Sequence, residues 1–133
     1  MSKRRILILD DSPITLRMLI KALKAEGYEA RGTADLGVFS QLLSSFEPHL
    51  ILLDLSMPTV TGDSICRDLR RQFPGRRVPI AMISGLSDAE LKARAEAAGA
   101  DTYISKKEGF HAFVKDIHRL FREHPATGQS PAT

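Results

Sequence analysis

A chain of 133 residues with 43% hydrophobic and 26% charged residues has the composition of one globular domain, long enough to bury a core without disulfides. The single cysteine, Cys66, excludes an internal disulfide framework, and the net charge of +3 is only mildly basic. The N-terminal apolar run from Ile6 to Leu9 is too short for a signal peptide or a membrane span, so a cytoplasmic location is expected.

Apolar runs and helical segments alternate along the first half of the chain. RILILD, ending at Asp10, predicts a buried strand. Ser12 followed by Pro13 predicts the N-cap and first residue of a helix that ends near Gly27. The alternating YEARGT predicts a weaker strand near a sheet edge, and a second helix follows, running through Leu42, Leu43 and Phe46.

The second half continues the same alternation. HLILLD predicts a buried strand that ends at Asp54, and the loop LSMPTVTG leads into a helix from about Asp63 to Phe73. PIAMIS predicts a fourth buried strand, and SDAE is a capping box that opens a helix closing at Gly99. TYIS predicts a short fifth strand, and GFHAFVKDIHRLF an amphipathic final helix.

Five strands separated by helices predict an α/β fold with right-handed crossovers and a parallel sheet covered on both faces. One domain is expected over residues 1–123, and residues 124–133, HPATGQSPAT, predict a flexible tail or the stub of a linker. The basic stretch from Arg67 to Arg77 is interpreted as a solvated helix face, with contact to an acidic partner or nucleic acid as the alternative.

Polar side chains gather where the predicted strands end. The carboxyl ends of parallel strands share one sheet edge, which is where ligands bind in doubly wound folds. Clustered carboxylates repel unless a cation joins them, and oxygen ligands suit Mg²⁺ or Mn²⁺ rather than zinc. The lysine and the serine suit phosphate oxygens. The residues at this edge are Asp10, Asp11, Asp54, Ser84 and Lys106.

Several motifs in order make the chain resemble the receiver domains of bacterial two-component response regulators over about residues 4–122. They are the paired aspartates Asp10 and Asp11, DLSMPTVTG from Asp54 to Gly62, ISG at the end of the fourth strand, and AGADTYISK ending at Lys106. The resemblance implies a flavodoxin-like doubly wound (βα)5 sandwich, with a five-stranded parallel sheet of order 2-1-3-4-5.

The resemblance also implies roles for the residues at the sheet edge. Asp54 would be the phosphoacceptor, taking a phosphoryl group from a histidine kinase, a histidine phosphotransfer protein or a small phosphodonor. Mg²⁺, or Mn²⁺ in its place, would be held by Asp10, Asp11, Asp54 and the backbone carbonyl of Ser56. Lys106 would pair with the bound phosphate.

Ser84 and Tyr103 resemble the switch pair of the family. Their movement would change the face formed by the fourth helix, fifth strand and fifth helix for a downstream protein partner. The implied protein catalyses only its own phosphorylation and dephosphorylation, contacts neither nucleic acid nor membrane directly, and is a monomer or a phosphorylation-promoted dimer. It would be a stand-alone receiver or one whose output domain is absent.

One departure from the family pattern lies next to Lys106. Most receivers have proline after this lysine, commonly with a cis bond, whereas this chain has Lys107. A cis bond before a non-proline residue costs about 2.5–4 kcal/mol, so either a trans bond or a strained loop is expected. The departure motivates an alternative function, a constitutive binding or scaffold module independent of phosphorylation. A Mg²⁺-dependent phosphotransferase or phosphatase acting on a small molecule is a third hypothesis.

Overall fold

The computed structural model describes residues 3–55, 57, 62–72 and 78–123, and within them five strands alternate with five helices. The strands are β1 (Arg5–Leu9), β2 (Glu29–Thr33), β3 (Leu50–Asp54), β4 (Ile80–Ser84) and β5 (Thr102–Ser105). The helices are α1 (Pro13–Ala25), α2 (Leu36–Ser45), α3 (Gly62–Gln72), α4 (Asp88–Ala98) and α5 (Gly109–Glu123). All strand pairs are parallel and the order is β2-β1-β3-β4-β5, which confirms the predicted flavodoxin-like α/β fold.

Local capping signals fix where several helices begin and end. The Ser12 hydroxyl accepts a hydrogen bond from the Thr15 amide at 3.2 Å, and Pro13 opens α1. Ser87 caps α4 in the same way through the amide of Glu90. Gly99 follows α4 with a φ of +83°, a left-handed conformation that glycine adopts without steric cost. These ends agree with the sequence predictions.

The core forms two apolar layers, one on each face of the sheet. Successive strand residues point to opposite faces, so Ile6 and Ile8 of β1 pack with α1 and α5, while Leu7 and Leu9 pack with α2, α3 and α4. Because both faces are covered, the inner strands β3 and β4 are buried along their whole length. The edge strand β2 exposes Glu29 and Arg31, as its alternating sequence predicts.

Part of the basic stretch is engaged within the fold. The Arg70 guanidinium donates to the carbonyls of Gly99 and Val78 and forms an ion pair with Asp101, which joins α3 to the beginnings of β4 and β5. Arg71 pairs with Asp68 one turn away in α3. Residues 73–77 and the predicted tail, 124–133, lie outside the described residues. No helix in the described part of the chain is long and apolar enough to cross a lipid bilayer.

His49 joins the beginnings of β1 and β3. The Arg5 amide donates to His49 Nδ1 at 2.9 Å, and the His49 amide donates to the Arg5 carbonyl at 2.7 Å. The first bond requires an unprotonated Nδ1. Burial lowers the pKa of His49 below 6.5, and the positive charges of Arg5 and Arg4 lower it further. The unfolded chain therefore binds a proton more readily than the folded one as the pH falls through 6.5.

We expect the free energy of unfolding to fall when the pH is lowered from about 7.5 to about 5.5, and to fall less in His49→Gln, because stability held by an unprotonated histidine is lost on acidification. The difference should be about 1 kcal/mol, the contribution of one hydrogen bond. Urea unfolding at both pH values measures it, with His111→Gln as a control because His111 is exposed on α5. An equal pH dependence in wild type and His49→Gln would contradict the expectation.

Candidate functional site

The candidate site lies at the carboxyl edge of the sheet, where parallel strands end together. Asp10 and Asp11 follow β1, Asp54 ends β3 and Ser84 ends β4, while Lys106 follows β5. The strand register brings Asp54 opposite Ile83 and Ser84 opposite Ser105, so these ends are level with one another. These residues therefore lie at one edge of the sheet, as the sequence predicts.

Three carboxylates form the centre of the site. One oxygen from each of Asp10, Asp11 and Asp54 lies within 4.8 Å of the other two. Asp10 is 0% and Asp54 2% exposed, whereas Asp11 is open to solvent. Two buried acids therefore lie behind one exposed acid, and like charges in this arrangement repel unless cations lie among them.

Lys106 supplies one such cation, and it lies closer to Asp10 than to Asp54. Its Nζ is 2.6 Å from Asp10 Oδ2 and 3.6 Å from Asp54 Oδ1. The Ser12 amide donates to the other oxygen of Asp10 at 3.0 Å. Three carboxylates against one ammonium leave two negative charges in the cluster, which equals the charge of one divalent cation.

The donor set fits Mg²⁺ or Mn²⁺. Both ions favour carboxylate oxygens, and the cluster offers oxygen atoms only. Oxygens bound to one octahedral Mg²⁺ at about 2.1 Å lie about 3.0 Å apart in cis and about 4.2 Å apart in trans positions, so the three carboxylates, whose oxygens lie within 4.8 Å of one another, would have to draw together to bind one ion. Ser56, whose backbone carbonyl was the fourth predicted ligand, lies outside the described residues.

Gly62 packs directly on the backbone of the central acid. A Cβ atom on Gly62 would lie 2.4 Å from the carbonyl oxygen of Asp54 and 2.9 Å from its carbonyl carbon. The first residue of α3 therefore approaches β3 as closely as only glycine permits. Sequence reasoning identified this glycine as part of a motif but missed its role, which depends on a close approach between two backbones.

Ser84 and Tyr103 lie on neighbouring strands on the same face of the sheet. Ser84 is buried, and its hydroxyl accepts a hydrogen bond from the Leu86 amide at 3.0 Å. Tyr103 lies opposite Met82, two residues before Ser84, and its half-buried ring packs on the same apolar layer as the Leu86 side chain. The two predicted switch residues therefore face the same side of the sheet, and Tyr103 borders the same apolar layer as Leu86.

The peptide bond between Lys106 and Lys107 is trans, which decides between the two expectations for this loop. The Lys107 side chain is exposed, and its amide donates to the Ser105 hydroxyl at 3.1 Å. The loop therefore accommodates lysine in place of proline with an ordinary peptide bond.

A family model described as "Response regulator receiver domain" matches residues 6–118. Among curated proteins, the chain is 32% identical over 119 residues to the DNA-binding dual master transcriptional regulator RpaA of Synechocystis, covering 89% of this chain and 49% of that protein. It is 32% identical over 127 residues to the cell cycle transcriptional regulator CtrA of Caulobacter vibrioides, covering 95% and 54% respectively. The chain thus spans about half the length of these relatives.

Solved structures show the same fold. A CheY-like response regulator receiver domain protein from Methanospirillum hungatei superposes with a TM-score of 0.78 at 28% identity, covering 92% of this chain and 96% of that one. A response regulator signal receiver domain from Bermanella marisrubri gives a TM-score of 0.78 at 32% identity, covering 90% and 98%. The similarity extends over nearly the whole of each domain.

Proposed function

The chain belongs to the response regulator receiver family of two-component systems, and from that membership we propose that it is a phosphorylation-driven switch whose phosphoacceptor is Asp54. One observation carries the proposal. The buried Asp54 carboxylate lies beside two further aspartates and 3.6 Å from the Lys106 ammonium, at the sheet edge where ligands bind in this fold.

The proposed reaction is a displacement at phosphorus. A carboxylate oxygen of Asp54 attacks the phosphoryl group, a new P–O bond forms, and the bond to the donor breaks. From a phosphohistidine the leaving group is the imidazole, which keeps the electron pair of the P–N bond. From acetyl phosphate the leaving group is acetate. Hydrolysis of the resulting acyl phosphate returns the carboxylate, so the chain turns over only its own modification.

The Lys106 ammonium is proposed to move from Asp10 to the phosphoryl group when Asp54 is phosphorylated. In the observed state its ammonium contacts Asp10 at 2.6 Å, and Asp54 Oδ1 is only 1.0 Å further away, at 3.6 Å. A short movement of this partly buried side chain would bring the ammonium to a phosphoryl oxygen on Asp54. Such a charge-assisted contact stabilises the phosphorylated form. Asp10 would then require another cation.

Asp11 and Asp54, with Asp10 behind them, are the residues proposed to hold Mg²⁺ or Mn²⁺, and the Ser56 carbonyl stays a predicted fourth ligand. When bound, the ion stabilises the negative charge on the oxygens of the transferring phosphoryl group. Asp11 is the one of these three carboxylates that is exposed to solvent.

The proposed readout begins at Ser84. A phosphoryl group adds roughly −1.5 to −2 charge and three acceptor oxygens. If the Ser84 side chain changes rotamer to bring its hydroxyl to one of these oxygens, the 3.0 Å hydrogen bond from the Leu86 amide is broken. Leu86 and Tyr103 pack on the same apolar layer, and the Tyr103 ring is proposed to turn inward when Ser84 moves. The surface of α4, β5 and α5 would change for a protein partner.

The proposed partners are a histidine kinase or histidine phosphotransfer protein upstream and a protein target downstream, both in the cytoplasm. RpaA is named a DNA-binding regulator and CtrA a transcriptional regulator, and about half of each lies outside the match. The absence of a direct nucleic-acid contact, like the oligomeric state, stays a prediction for this chain.

Intact mass after incubation with Mg²⁺ and acetyl phosphate tests the proposal. Wild type should gain one phosphoryl group, whereas Asp54→Asn should gain none, because the amide oxygen of asparagine is a poor nucleophile. Asparagine is nearly the same size as aspartate, so the substitution changes little else. Omitting Mg²⁺ and adding EDTA should also prevent the gain. Equal phosphorylation of wild type and Asp54→Asn would overturn the assignment of Asp54. Absence of phosphorylation in wild type would instead favour the constitutive binding module.

A further inference from the structure

An ion pair joins α3 to α4 next to the candidate site. The Arg94 guanidinium of α4 lies 3.3 Å from Asp63 Oδ2 in the first turn of α3, and the two residues are separated by 31 positions in sequence. The Asp63 side chain is 18% and the Arg94 side chain 37% exposed, so the pair is partly shielded from solvent. The pair therefore connects the helix that begins against the Asp54 backbone with the helix that follows Ser84.

The Asp63 end of the pair is held against the phosphoacceptor strand. Asp63 follows Gly62, whose α-carbon approaches the Asp54 backbone so closely that a Cβ would lie 2.4 Å from the carbonyl oxygen. Asp63 Oδ1 also accepts a hydrogen bond from the Ser64 amide at 3.2 Å, which orients the carboxylate at the start of α3. The backbone at this end of the pair is therefore packed against β3.

The Arg94 end lies on the helix that follows Ser84. The Ser84 hydroxyl accepts from the Leu86 amide, and two residues later α4 begins at Asp88. A change of the Ser84 side-chain rotamer would break this hydrogen bond, and its loss would let residues 85–87 and the beginning of α4 move. A contact that holds α4 to α3 resists this movement.

We propose that the Asp63–Arg94 ion pair is a restraint on the switch: it stabilises the arrangement in which Ser84 is bonded to Leu86, and so lowers the rate at which Asp54 is phosphorylated. The inference rests on the proposed function. A contact made in only one of two conformations shifts the population by its own strength. A partly exposed ion pair shifts it by about two- to fivefold.

The test is a double-mutant cycle on the initial rate of phosphorylation by acetyl phosphate at saturating Mg²⁺. Arg94→Ala should raise the rate by about two- to fivefold in the wild-type background and should have no effect in the Asp63→Ala background, in which Arg94 has lost its acceptor. The cycle removes the general effect of changing the charge of Asp63 near the site. Arg71→Ala is the matched control, because Arg71 pairs with Asp68 within the same helix, α3.

Three outcomes decide between the possibilities. A higher rate together with a lower free energy of unfolding in Arg94→Ala supports the restraint. Removal of a pair that only stabilised the fold would lower the free energy of unfolding and leave the rate unchanged. Equal rates in wild type and Arg94→Ala, or the same increase in both backgrounds, would overturn the restraint alone. A wild-type protein that gains no phosphoryl group would overturn the proposed function, and the restraint with it.

Discussion

Replacing Lys106 by methionine is expected to lower the free energy of unfolding by about 2–3 kcal/mol in the presence of EDTA. The substitution keeps an unbranched side chain one atom shorter than lysine but removes the ammonium 2.6 Å from the fully buried Asp10 carboxylate. A buried carboxylate without its cation is strongly destabilising, and two further aspartates lie within the same cluster. Lys106 is itself 24% exposed, which places the expected loss at the lower end for buried pairs.

Urea unfolding with EDTA and with saturating Mg²⁺ measures this effect. Mg²⁺ should stabilise Lys106→Met more than wild type, because a divalent cation then supplies the charge that the ammonium supplied. Lys107→Met is the matched control: its side chain is exposed, and its loss should change stability by less than about 0.5 kcal/mol. Equal losses in the two variants would contradict the pairing of Lys106 with Asp10.

Replacing Gly62 by alanine is expected to lower the free energy of unfolding by about 1–3 kcal/mol and to slow phosphorylation of Asp54. The added methyl group would lie 2.4 Å from the Asp54 carbonyl oxygen. No rotamer change relieves a contact between Cβ and backbone, so α3 must move away from β3. This cost exceeds the gain of up to about 1 kcal/mol that alanine normally brings to a helix over glycine.

Urea unfolding of wild type and Gly62→Ala measures the loss of stability, and the reaction of both with acetyl phosphate measures the slower phosphorylation. Gly85→Ala is the control for stability, because a Cβ at Gly85 meets nothing within 4 Å. Its free energy of unfolding should stay close to that of wild type or rise slightly, since alanine restricts the unfolded chain. A Gly62→Ala protein as stable as wild type would show that α3 does not rest on the Asp54 backbone.

The fold was predictable because its signals are local or periodic. The continuous apolar runs of β1, β3 and β4 require a sheet buried on both faces, and the exposed positions of β2 require an edge. The caps at Ser12 and Ser87 and the left-handed Gly99 act within a few residues of their own helix ends. Such features can be read from sequence without any long-range contact.

The candidate site was predictable only as far as topology determines it. Parallel strands bring Asp10, Asp11 and Asp54 to one edge of the sheet, independently of their side-chain conformations. Lys106 and Asp10 are 96 positions apart in sequence, and their contact depends on where side chains from several strands lie. No local sequence pattern indicates it. The same holds for the Asp63–Arg94 pair. The Ser56 ligand and the tail at 124–133 stay predictions.

Locating the phosphoryl group within the chain tests the central claim most directly. Borohydride reduces an aspartyl phosphate to homoserine, so wild type treated with acetyl phosphate and Mg²⁺, reduced and digested can be analysed by peptide mass spectrometry. The account predicts homoserine at position 54 and unmodified aspartate at positions 10 and 11. Homoserine at position 10 or 11, or its absence from a protein whose intact mass shows a phosphoryl group, would contradict it.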